Sequence, residues 1–585
     1  MQSLRLAACA AALVLVVPAL PTGAAGRTMV GAQEAVRTQA RCDGQPITEV
    51  VILSQSPGFG GVFARSPFLG RLVTSLHVTT APEVIRNFVL LQRGGRCTPL
   101  LRSESERILR AMPFIADASV TAYADGLDGV RVEVVTIDEP SLIGSIGVEN
   151  DAPFLTGLTL GTQNLLGNAV LAAASWRDGF FYRDRLAGRY TNYQLWGKPY
   201  QLQLAAARRE LGGEWLAEVS YPFLTDVQPS AWRVSGGAID EFVRFLRPRG
   251  RPSTLEVRRS FVDAGAMLRI GRQRGVLGLL GAQLSFESNE PAPAPVLVTD
   301  SGLVDDSTSA LVGRYRTTRS ARVNTLLGVR RLRFLRVTGF DALSGPQDLR
   351  IGVQAGLTLG HSLPASRGIA RREKYAGANL FLGVGGERTY LALHGDVEGR
   401  RSRETVGWDD VLTNGRVAWY VKPHARHLVT ADVSWGGGWS ARVPYQLDLG
   451  ARNGGLRGYD DLELGGAHRV IGRLEERWRL GSFRGTADAG IGVFTDFGRV
   501  WAGDVPLGMD SGVRQSVGLS VMAAVPPRSQ RLWRLDIAFP VNPGDGARWG
   551  VRLTNEDRTR TFHNAPSDVR RMRERGVPQS IFNWP

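Results

Sequence analysis

LRGYDDLELGGAHRVIGRLEERWRLGSFRGTADAGIGVFTDFGRV, residues 456–500, carries three charged residues in three different local settings. Arg457 lies in a glycine-rich loop, between Gly454-Gly455 and Gly458. Glu475 lies in an alternating run, with Ile471, Arg473, Arg477 and Arg479 on its own face and Val470, Gly472, Leu474, Trp478 and Leu480 on the other. Asp496 lies in a second such run, residues 494–500. Alternation with a period of two marks a strand whose faces meet different surroundings. The pattern puts a loop arginine within reach of two carboxylates that point to one side of neighbouring strands. By the same alternation Glu476 faces away from Glu475, which puts that end of the strand near a membrane interface.

Leu456-Arg457-Gly458-Tyr459 resembles the V-R-G-F/Y loop motif of the BamA/TamA-type superfamily of outer-membrane barrels (the bacterial surface antigen family). Phe494-x-Asp496-x-Gly498 resembles its strand motif F-x-D-x-G, and Leu474-Glu475-x-Arg477 the strand between the two. The resemblance implies a loop folded back into the barrel lumen, its arginine paired with acidic residues of the wall. It also implies assembly of outer-membrane proteins, or passage of polypeptides across the membrane, without nucleotide or cofactor.

The 585 residues exceed one ordinary domain. Glycine is abundant, with 70 residues, as many turns and close strand approaches require. Lys198, Lys374 and Lys422 are the only lysines, so the net charge of +16 is carried by arginine. Genomic base composition accounts for that excess as well as a functional reading does, in which arginine lines a lumen or meets anionic lipid headgroups. No basic run with interleaved aromatics points to nucleic acid.

Arg5, the apolar residues 6–17 and the small residues 23–25 read as a signal peptide, residues 1–25. No later segment reaches the roughly 18 apolar residues of a membrane helix; the richest, residues 276–284, is too short. Cys42 and Cys97 remain after the signal, a candidate disulfide in an oxidising compartment, with two unpaired buried thiols as the alternative.

Residues 26–44 are small and polar and read as a flexible leader. Residues 45–140 read as one small α+β domain. It has a strand at 48–53, a helix capped by Thr80 and running to about residue 91, a second helix at 101–112, and a hairpin of residues 118–124 and 130–137. The domain is similar to a POTRA (polypeptide-transport-associated) domain, with residues 104–118 like the helix leading into that family's second strand. One copy is present where most relatives have two to five. Residues 130–137 are the expected edge strand for client addition.

Residues 141–562 change character: short alternating runs are separated by turn signals, with aromatics such as Trp196, Tyr200, Trp215, Trp419 and Trp533 near run ends. At roughly 25 residues per strand and connection, they predict a transmembrane antiparallel β-barrel of about 16 strands. The chain is thus mainly β, a barrel preceded by one POTRA-like domain, with a tail at residues 563–585 after Phe562. A soluble propeller would show a repeat of about 40–50 residues, and none is evident.

No catalytic constellation, metal-ligand spacing or cofactor motif is evident; His424 and His427 stand three apart only in a strand-and-turn setting. The expected partners are the outer-membrane bilayer, unfolded outer-membrane or secreted polypeptides, and periplasmic chaperones or accessory lipoproteins. The expected client gate is the seam between the first strand, near residues 142–149, and the last, near 549–562. The alternatives are a passive channel, a secretion pore for one client, or a structural surface antigen.

Overall fold

The strand Arg514–Ala524 shows how this chain folds: Val517, Leu519 and Val521 are 41–57 % exposed, whereas Ser516 and Ser520 on the opposite face are buried. The strand Ala487–Trp501 does the same, exposing Ile491, Val493 and Phe497 and burying Asp488 and Asp496. Apolar residues out and polar residues in is the inverse of a soluble domain, and suits a wall with lipid outside and water inside. The computed structural model describes residues 38–576 apart from 59–76, 149–154, 179–184, 248–249, 272–275, 300, 309, 364–372, 403–406, 460–463, 543–548 and 558–564. Counts and absences below refer to the described residues; the signal peptide and Phe562 lie outside them.

The N-terminal unit runs β1 (Ile47–Gln55), α1 (Pro82–Arg86), α2 (Pro99–Arg110), β2 (Ile115–Asp125) and β3 (Gly129–Asp138). Its sheet order is β1-β3-β2, with β1 parallel and β2 antiparallel to β3. The expected edge strand is therefore the central one. Val130, Val132 and Val134 of β3 are at most 1 % exposed, and this β-branched face is buried best with a neighbour on each side. The described end of the leader is not free either. The Ala40 N–H donates to the Ala122 carbonyl at 2.9 Å, and the Ala124 N–H to the Thr38 carbonyl at 3.0 Å, so residues 38–40 lie along the outer edge of β2. A disulfide joins Cys42 to Cys97.

The helix expected to reach residue 91 stops at Arg86. Asn87 turns its side chain to Gln194 at 2.8 Å, and the Leu90 N–H donates to Ser105 Oγ at 2.9 Å instead of to a helical carbonyl. Thr80 does not cap this helix: Ala81 is the N-cap, and Thr80 donates its N–H and hydroxyl to Asp138 at 2.6 and 2.9 Å.

Twenty strands form the barrel wall, from β4 (Leu142–Val148) to the strand Gly550–Asp557, with the hairpin of Val296–Thr299 and Gly302–Asp305 added at one rim. The expected count of about 16 is too low for two reasons. Connections are short, with three residues between Gly385 and Thr389 and three between Phe483 and Ala487. Four long strands, Ser230–Phe245, Ser253–Ile270, Leu277–Pro291 and Thr318–Thr338, carry inward charges such as Arg259, Asp263, Glu287 and Arg322 that break up their apolar runs.

Neighbouring wall strands share six or more register pairs, and Thr318–Thr338 shares 17 with Pro346–Ser362. The first and last strands share one, Leu553 with Val148, helped by Asn555 Nδ2 donating to the Gly144 carbonyl at 2.8 Å. The N-terminal unit is clamped across one mouth of the barrel. Arg110 binds Asp348 through two nitrogens at 2.9 Å, Arg336 binds Asp117 at 2.6 Å, and Ser529 donates to Glu139 at 2.8 Å.

Candidate functional site: an ion-paired loop and a helix in the lumen

The connection between the strands His427–Trp439 and His468–Phe483 does not stay at the rim. It folds inward, pinned by a short pairing of Leu447–Asp448 with Gly465–Gly466. Gly454 and Gly458 adopt positive φ of 85° and 83°, a conformation glycine takes without strain. Leu456 and Tyr459 are fully buried in a cluster with Leu449, Ile471 and Val500, and the Tyr459 hydroxyl donates to the Gln515 carbonyl at 2.8 Å. These apolar anchors leave Arg457 between them, aimed at the wall.

Arg457 Nε and Nη2 donate to the two oxygens of Asp496 at 2.7 and 2.6 Å. Its Nη1 lies 3.6 Å from Glu475 and 3.5 Å from Asp536, and its guanidinium stacks over the Phe494 ring. The two-nitrogen grip needs the planar fork of arginine; a lysine ammonium cannot form it. A Cβ on Gly498 would stand 2.6 Å from Ile471 and 3.2 Å from Leu456, so glycine there lets the loop approach the strand. Glu476 points the other way from Glu475, to the outer face, where it meets His427 Nε2 at 2.6 Å.

The site is wider than the three residues read from the sequence. Arg534 donates to both oxygens of Glu475 at 2.8 and 2.7 Å and to Asp536 at 2.7 Å, and Arg477 also pairs with Glu475. Three arginines thus interleave with three carboxylates. Arg534 and Asp536 come from the strand Arg531–Pro540, where they alternate with Trp533, Leu535 and Ile537. That is the same signature that exposed Glu475, and it was available in the sequence.

The tail supplies a second lumen element. Helix α3 (Ser567–Gly576) follows the last strand and lies inside the barrel. Asp568 accepts from Arg469 at 2.6 and 2.8 Å, Arg571 donates to Glu241 at 2.9 Å, and Arg573 donates to Glu398 at 3.0 Å. Arg469 and Glu241 stand on nearly opposite sides of the wall, so α3 bridges the lumen. Val569 and Met572 are buried against Tyr445 and Leu447 of the inward loop, so loop and helix form one plug.

At the junction of the two units, Asp138 is fully buried. Burial pushes its carboxyl up to about 7, opposed by the two donors of Thr80. His77 Nε2 lies 3.9 Å away, and burial holds its imidazole below the ordinary value.

No family model matches the chain, and no curated protein does. Among solved structures it is similar to BamA from Haemophilus ducreyi lacking POTRA domains 1–3, with 13 % identity over 87 % of this chain and 85 % of that one and a TM-score of 0.36. It is also similar to CdiB from Acinetobacter baumannii, with 8 % identity over 87 % and 74 % of the two chains and a TM-score of 0.38. The outer membrane protein opdK from Pseudomonas aeruginosa gives 12 % identity over 71 % and 96 % and a TM-score of 0.29. With TM-scores below 0.5, none of these likenesses bears on function.

Proposed function

We propose that this chain is an outer-membrane barrel that inserts polypeptides into, or passes them across, that membrane, without enzymatic chemistry or a cofactor. In this reading the N-terminal unit is a POTRA-like domain facing the periplasm, and the clients are unfolded outer-membrane or secreted polypeptides, delivered by chaperones or accessory lipoproteins. The single register pair of the seam carries the proposal. A strand with unpaired backbone groups is a template for another strand, and among the described residues the first and last strands share one register pair, Val148 with Leu553, besides the Asn555–Gly144 hydrogen bond. Among the described residues, opening it breaks one register pair where opening the wall elsewhere breaks six or more.

A passive channel is one alternative. The lumen-bridging helix and the ion-paired loop weigh against it, because they occupy the path that a small solute would take. A secretion pore for one client is the other alternative, and retention of a single secreted protein on depletion would indicate it.

Two experiments test it together. Depletion should leave outer-membrane barrels unassembled; loss of small-solute uptake alone would indicate a channel. Cysteines introduced by Val148→Cys and Leu553→Cys should, when oxidised, stop client assembly reversibly. Full activity with the seam crosslinked would overturn the proposal.

A further inference from the structure

A cavity of about 410 Å³ lies in the lumen between the inward loop, α3 and the wall. Eight arginines line it and only four carboxylates. Those carboxylates are committed. Glu475 and Asp536 belong to Arg534, Arg477 and Arg457. Asp432 takes Arg416 at 3.0 Å, and Asp341 accepts from the Tyr420 hydroxyl at 2.9 Å.

Arg473 donates to the Gly454 and Gly455 carbonyls at 2.8 and 2.9 Å and lies 3.9 Å from Asp432, which leaves three arginines over. Arg177, at the end of the strand Val170–Arg177, has no carboxylate within salt-bridge distance among the described residues. Around it stand Arg185, Arg552, Arg570 and Arg571, of which Arg185 is paired with Glu214 and Arg571 with Glu241. Arg552, on the last strand, donates only to the Ala451 carbonyl, at 3.1 Å. Arg570 of α3 reaches Glu574 at 3.6 Å on a surface open to water. Converging guanidiniums repel one another, and a multivalent oxyanion between them turns that repulsion into charge-assisted hydrogen bonds.

We propose that Arg177, Arg552 and Arg570 form an anion-binding site for a phosphate group. The site has two possible sources of ligand: a free phosphate in the lumen water, or a phospholipid headgroup entering by the seam, whose last strand carries Arg552. It rests on the lumen geometry and not on the polypeptide-handling function proposed above.

The test uses the full chain in non-ionic detergent at fixed ionic strength. Binding is measured by calorimetry with inorganic phosphate, and separately with micelles containing phosphatidic acid. Saturable binding is expected, weakened tenfold or more by Arg177→Gln or Arg552→Gln, and unchanged by Arg258→Gln on an exposed face. Arg177→Lys, which keeps the charge and loses the fork, should weaken it less and guards against a folding defect. Binding of inorganic phosphate assigns a solute site. Binding of phosphatidic acid alone, with the same dependence on Arg177 and Arg552, assigns a headgroup site. No saturable binding of either, or binding undiminished in both glutamine variants, overturns the proposal.

Discussion

Arg457 makes the only salt bridge to Asp496 among the described residues, and Asp496 is fully buried. Removing one partner of a buried pair leaves the other uncompensated, at a cost of roughly 3–5 kcal/mol, with lumen water keeping it near the lower figure. Arg457→Ala should therefore release the loop and leave the wall intact. Limited proteolysis should cut within residues 440–467, while the heat-modifiable shift of a folded barrel on a gel persists; Arg457→Lys should fall between. Asp138 gives a pH-dependent prediction. Its folded carboxyl titrates near 7, above the unfolded range, so the folded state binds more protons in between, and Asp138 makes folding less favourable as pH rises from about 4 to 7. His77 acts with opposite sign, because the unfolded state protonates it more readily. Comparing wild type with Asp138→Asn isolates the aspartate: the variant's stability advantage should be near zero below about pH 4 and grow up to about 7, read from thermal midpoints. An advantage that is flat with pH would contradict it. At this scale the sequence was partly legible. Arg457, Glu475 and Asp496 were readable because a loop motif and two alternating runs flagged them. Thr80 was misread as a cap because its real partner, Asp138, lies 58 residues away, and no local pattern encodes such a contact.

Among the elements, strands were legible where their inward face is small or neutral. The run around Glu475 was read in spite of its inward charges, but Leu277–Pro291 and Thr318–Thr338, strands of 15 and 21 residues with charged inward positions, were not. The tail was the least legible. Residues 567–576 read as a charged extension, because three of their charges are matched by Arg469, Glu241 and Glu398 on strands far away in sequence. A chain ending at residue 564 lacks α3. It should fold into the same barrel and show several-fold higher conductance in planar bilayers; unchanged conductance would mean that the helix does not obstruct the lumen.

For the whole molecule, the wall is uneven. Its strands run from seven residues in β4 to 21 in Thr318–Thr338, and the short ones flank the seam. Hydrogen exchange should be fastest in β4 and Gly550–Asp557 and slowest where Thr318–Thr338 meets Pro346–Ser362. Uniform protection around the wall would contradict a localised weak point.

The segment lying along β2 has its own consequence. Because Thr38 and Ala40 already hydrogen-bond to that edge and Cys42 fastens them two residues later, any visiting peptide meets a tethered competitor at high effective concentration. Occupancy of that edge therefore becomes a displacement reaction, in which weak, poorly matched sequences are turned away and only extended segments with several good pairings are retained.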